Sequence, residues 1–160
     1  MATDRDWEAY RTAVVDIAPS DRPAFRVVPD VPGRTGAWPN GQAEPVVVVT
    51  AWNPASIRLE PDVNGARQRT LALELGTRGL PWWPATGGDL GSGHREEGAA
   101  VPGLSEEDGR ALGRRYGQAA VYVWTPDAWE VVACDGDHRV TLGWRLTGAP
   151  DTSGSSASSA

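Results

Sequence analysis

Apolar and polar positions along this chain fall into blocks whose period changes from helix to strand and back. Trp7, Tyr10, Val14 and Ile17 recur at helical spacing, which predicts an amphipathic helix over 5–16. "FRVV" at 25–28 predicts a short strand ended by Pro29, and the Pro/Gly-rich segment 29–44 predicts a loop. "PVVVVTAW" at 45–52 is an unbroken β-branched run, the pattern of a central strand covered on both faces. A second helix is expected from Pro61, a residue suited to the first helical position, to about Arg78, with Gly79 as its stop. "LPWWPA" at 80–85 predicts a short strand, 86–98 a flexible loop and 99–104 another short strand. Ser105 with Asp108 resembles a capping box and opens a third helix that ends at Gly117. Strands at 119–124, 128–134 and 139–146 follow, joined by Thr125-Pro126-Asp127 and by Asp135-Gly136.

This order predicts an α+β or α/β domain. Its mixed sheet of about five to seven strands packs with three helices and closes in a C-terminal β-meander. One domain spans 1–148, and the Ser-rich tail 149–160 is expected to be disordered.

Composition narrows the function classes. The chain has 160 residues, enough for one core, and a formal net charge of −6, which argues against a nucleic-acid partner or an anionic membrane surface. All 15 basic residues are arginine, which with 19 Gly and 13 Pro suggests a GC-rich bacterial source. Cys134 stands alone, so no intrachain disulfide can form. No apolar run approaches a membrane span and the N-terminus has no signal-peptide core, so a cytoplasmic location is expected.

The candidate chemistry lies where the valine strand meets the second helix. A projection at about 100° per residue puts Asn64 and Arg67 on the face defined by Leu71 and Leu75. An inward arginine must meet an anion or several acceptors. Arg115 falls on the inward sector of the third helix, and Glu96 and Glu97 precede that helix. Trp52, Asn53, Asn64, Arg67, Arg115 and Gln118, with Glu96 or Glu97, are therefore expected to converge at one end of the sheet.

Two readings stay open. In the first, Arg67 and Arg115 grip a small anionic metabolite or nucleotide, the amides orient it, and Glu96 or Glu97 acts as acid or base. In the second, the same set is a structural network inside a non-catalytic interaction module, with Trp38, Trp82 and Trp83 as patch residues. Whether the chain is an enzyme is left open, and the oligomeric state is not readable.

Other features are weaker. Cys134, Asp135, Asp137 and His138 are ligand types, but Asp-Gly reads as a hairpin turn, and His94 and His138 lack zinc spacing, so no metal is expected. "GGDLGSG" lacks the Gly-Lys-Ser/Thr ending of a phosphate loop and reads as a mobile loop that can serve as a lid. No cofactor motif is present. Eight tryptophans beside one phenylalanine point to core packing by indoles.

"VVTAWNP", "NGARQRTLALEL", "REEG" and "LGRRYGQAAVYVW", in that order over roughly 45–125, resemble a bacterial family known as domain of unknown function 3293. The resemblance implies a shared fold and shared site positions, and no activity. This chain departs from the family pattern at His94, where tryptophan is frequent, and at Gly98, Ala99 and Ala119.

Overall fold

Eight strands close into an antiparallel barrel in a computed structural model that describes residues 2–148. The tail 149–160 lies outside the described residues. The chain runs α1 (Asp4–Thr12), β1 (Val14–Ile17), β2 (Phe25–Asp30), β3 (Val46–Thr50), α2 (Pro61–Thr77), β4 (Trp83–Gly88), β5 (Arg95–Pro102), α3 (Glu106–Arg115), β6 (Ala120–Thr125), β7 (Ala128–Ala133) and β8 (Arg139–Thr147). Around the barrel the order is β1-β2-β8-β7-β6-β3-β5-β4, with β4 returning to β1.

The closed barrel replaces the expected open mixed sheet of five to seven strands, and with it the α+β class. Two segments account for the difference. The first helix stops at Thr12, and Val14-Val15-Asp16-Ile17 forms β1, paired with β2 on one side and β4 on the other. Val14 and Ile17 had extended the helical stripe by spacing alone, but a run this rich in β-branched residues suits a strand buried on both faces. The second is the segment expected as a loop at 86–98. It is largely a hairpin, because β4 extends through Gly88 and β5 begins at Arg95, with Gly88 opposite Arg95 and Ala85 opposite Gly98. Closure leaves no free sheet edge. Pro29, expected to end its strand, lies inside β2 opposite Trp144.

The valine run is covered on both faces, by different partners. Val46 and Val48 point into the barrel with Trp124, Trp129 and Trp144. Val47 and Val49 point outward beneath Leu71 and Leu75 of α2 and Leu112 of α3.

The interior is filled unevenly. Trp124, Trp129 and Trp144 are fully buried toward the end where β3 begins. Trp38 folds back from the 31–45 loop onto Trp124, with ring centroids 4.6 Å apart, and its indole N–H donates to the Gln42 carbonyl. Trp38 is thus a plug rather than an exposed patch residue. Toward the other end the inward positions are small: Ala85, Gly87, Gly98 and Ala120 beside Val15 and Val48. Helix α1 lies over that end, started by a reciprocal cap between Thr3 and Asp6.

On the outer surface Asp16 accepts two hydrogen bonds from Arg26, at 2.7 and 3.1 Å, and another from Arg95. These tie β1 to its neighbour β2 and, across β4, to β5. Burial alone would raise the Asp16 carboxyl, but the two guanidiniums outweigh it and hold the group below its ordinary value of 3.8. A depressed folded-state pKa means the stabilisation is present above pH 3.8 and is lost as the pH falls through the folded value. Acid titration of stability should therefore show a loss in that window which Asp16→Asn abolishes; an identical acid limb in the variant refutes the assignment.

Helix α3 presses its backbone onto the barrel through Gly109 and Gly113. A Cβ at Gly113 would fall 2.5 Å from Cys134 Sγ, whereas one at Gly76 in α2 would meet nothing. Gly113→Ala should lose about 1–3 kcal/mol to overpacking. Gly76→Ala should gain up to about 1 kcal/mol from helix propensity. Urea midpoints that move in the same direction for both would contradict this.

Candidate functional site

The site begins with a strained turn at the end of β3. Asn53 adopts φ 47° and ψ 60°, and Ala55 and Ser56 also lie in the left-handed region at φ 55° and 61°. Three such non-glycine residues need compensation from their surroundings. The Asn53 backbone N–H donates to Asn64 Oδ1 (3.0 Å), and Asn64 Nδ2 donates back to Asn53 Oδ1 (2.8 Å). Asn53 Oδ1 also accepts from the Leu59 N–H (2.9 Å). Asn64 and Asn53 are 2% and 7% exposed, so these bonds are shielded from water.

A second layer holds the carbonyls beside the turn. Arg67 donates from Nε to the Ala51 carbonyl (2.5 Å) and from Nη2 to the Tyr116 carbonyl (2.6 Å). Gln118 Nε2 donates to the Trp52 carbonyl (2.9 Å), and the Ala55 N–H donates to the Gly117 carbonyl (2.8 Å). The motif segments around 50–54, 64–67 and 116–118 thus build one clamp on one turn.

The clamp aims the remaining Asn53 amide. Its Nδ2 donates to Glu96 Oε2 (3.0 Å), and His94 Nε2 lies 2.8 Å from the same oxygen. Arg58 Nη2 lies 3.3 Å from His94 Nδ1. Guanidinium only donates, so Nδ1 is the acceptor and the ring proton sits on Nε2, directed at Glu96. Glu96 Oε1 takes no hydrogen bond from the described residues.

This relay borders a cavity of about 300 Å³ in the small-residue end of the barrel. Its inner wall is Val15, Val48, Ala85, Gly87 and Ala120, and Ala9, Tyr10 and Ala13 cover it from the α1 side. Tyr122 stacks on Trp129 with ring centroids 4.9 Å apart and separates the cavity from the tryptophan core. Burial pushes the Tyr10 hydroxyl above its ordinary value; a Ser56 hydrogen bond offsets part of this, and the charges on Asp6 and Glu96 add to it. Burial pushes Tyr122 higher still, with Tyr10 and Glu96 contributing. Both phenols keep their protons at neutral pH.

The expected residues divide accordingly. Asn53, Gln118 and Glu96 line the cavity. Asn64 and Arg67 stand behind the turn as supports. Trp52 is half-buried there, and its own indole N–H has no partner among the described residues. Arg115 lies apart, paired with Glu74, which also accepts from the Tyr116 hydroxyl (2.9 Å). Glu97 is exposed; Glu96 and Glu97 lie on β5 rather than in a loop, and successive strand residues face opposite sides. Sequence reasoning missed Tyr10, Arg58 and Tyr122 as site residues, and met His94 as a departure from a pattern and as a histidine without zinc spacing. The alternation Ala120, Tyr122, Trp124 carried the signal for Tyr122.

Eight antiparallel strands with a polar relay at one mouth define a closed barrel with an end pocket. Within it, residues 49–121 match a family described as protein of unknown function (DUF3293). That match runs from the end of β3 to the start of β6 and contains the whole clamp. No curated protein and no solved structure gives a match to the chain. Among the described residues, no helix is long and apolar enough to cross a membrane.

If Arg67 is a support, its removal should harm the fold rather than ligand affinity. Arg67→Met strands two carbonyl acceptors and should cost about 2 kcal/mol in urea unfolding. A variant as stable as the parent would show that the guanidinium has another purpose.

Proposed function

We propose that the chain binds a small molecule in the barrel-mouth cavity, with Glu96 receiving the ligand's polar end. The observation that carries this reading is the meeting of a concave, mostly apolar space with a pre-oriented carboxylate. Asn53 and His94 occupy one oxygen of Glu96 and leave the other without a hydrogen bond. A concave apolar pocket with a few convergent polar groups is the usual architecture of a ligand site. The groups of the relay sit on the barrel wall and on a turn braced by buried amides, so they need little rearrangement on binding. Glu96 is also the residue placed to take a proton from a bound molecule, with His94 donating to its carboxylate.

This reading moves the ligand's anchor away from the arginines. Arg67 is spent on backbone carbonyls and Arg115 on Glu74, so neither supports the grip expected for an anionic metabolite or nucleotide. The same pairings favour a second reading, in which the arginine and amide set is purely structural and the chain is an interaction module. That reading gives the cavity no purpose.

The two separate on occupancy. Ligand-observed NMR with small aromatic fragments should detect binders to the intact chain, and Ala120→Met, which extends a side chain into the cavity, should abolish that binding while the melting temperature holds. Fragments that bind the filled variant equally well, or no binders at all, would favour the interaction module.

A further inference from the structure

We infer that the mouth cavity is built for a small organic cation, an amine carrying an apolar or aromatic body. This rests on the cavity being a ligand site and specifies what it takes.

The charges around the opening are unbalanced. Glu96 from β5, Asp89 from the turn after β4 and Asp6 from α1 border the space, and Arg58 is the one guanidinium among its lining residues. Arg58 is directed at His94 rather than at Glu96, so no guanidinium contacts the free carboxylate oxygen. Asp6 and Asp89 are each engaged locally, Asp6 in the cap of α1 and Asp89 with the Gly91 N–H, but their charges remain at the rim. An anion entering this space would lose its hydration and meet carboxylates. An ammonium would meet an acceptor oxygen in a low-dielectric setting, where a charge-assisted hydrogen bond is strong.

A second observation points the same way and does not depend on the carboxylates. Tyr122 is half-buried and lines the cavity, and its hydroxyl makes no hydrogen bond with the described residues. A phenol that opens on a cavity with no partner on its own chain can take its hydrogen bond from a ligand. Kept protonated, it can accept an N–H from the ligand, and Tyr10 and Tyr122 add aromatic rings on which an organic cation is favoured. The alanines and glycines of the opposite wall leave room for the apolar body. The negative field is felt at both phenols, since the charges of Glu96 and Asp6 help hold the Tyr10 proton and Glu96 that of Tyr122.

The test is a matched set of probes on the full chain: benzylamine, benzyl alcohol and benzoate, titrated by calorimetry. Benzylamine should bind about tenfold or more tightly than the alcohol, the factor expected from a charge-assisted bond, and benzoate should bind more weakly than the alcohol. Glu96→Gln should erase the preference for the amine and leave alcohol binding in place. Tyr122→Phe should weaken the amine several-fold at unchanged melting temperature. If alcohol and amine bind alike, or the preference survives in Glu96→Gln, the cation assignment falls while the pocket reading stands. If none of the three binds, or all bind Ala120→Met as well as the parent, both fall.

Discussion

A small barrel must fill its own interior, and the arrangement of this molecule follows from how unevenly it does so. Eight strands enclose a space that side chains can just occupy, or that can hold one small ligand if they do not. Here three fully buried indoles, with Trp38 folded in from a loop, occupy one end. The other end is walled by alanine, glycine and valine. Four of the eight tryptophans are thus concentrated on one task. They make half the barrel rigid and leave the cavity as the remainder. Tyr122, stacked on Trp129, is where the filled half hands over to the empty one.

The polar groups at the mouth exist because a buried strand must stop there. Leaving β3, the chain turns through left-handed residues whose carbonyls and amides would be stranded without partners. Asn53 and Asn64 exchange hydrogen bonds across the turn, and Arg67 and Gln118 cover the carbonyls that remain. The solution leaves one amide group of Asn53 over, and that group meets Glu96. One residue therefore both braces the turn and touches the carboxylate of the candidate site, which is why the two readings of the sequence are hard to separate by residue type.

Much of the fold was legible in the chain, and the losses have physical causes. Helices α2 and α3 declared themselves through Pro61, Ser105 and the apolar stripe of Leu71 and Leu75, since capping and periodicity are local signals. β1 was hidden because Val14 and Ile17 continue the phase of Trp7 and Tyr10, and a four-residue strand has no period of its own. The ends of β4 and β5 were hidden by glycines that ordinarily mark loops. Without those segments no closure could be foreseen, and a sheet left open has no interior. Asn53, Gln118 and Glu96, which line the cavity, stand out in the sequence because polar residues at a strand end are conspicuous. Tyr10, Arg58 and Tyr122 come from separate parts of the chain and become neighbours only when the barrel closes. The inward direction of Arg67 was read correctly from the helix projection, yet backbone carbonyls satisfied it as well as any ligand could.

The close seat of α3 reaches further than its own packing. Gly109 lies against Val47 and Gly113 against Cys134 and Val121, four residues apart on one helix face. A helix seated so near has no room to slide or rotate, so it behaves as a fixed strut. Its last turn leads directly into Gly117 and Gln118, which bond to Ala55 and Trp52 of the turn, and into Tyr116, whose carbonyl accepts from Arg67. The mouth therefore takes its reference position from the outer wall of the barrel, and the placement of Glu96's partner is set by two missing side chains on the far side of the sheet.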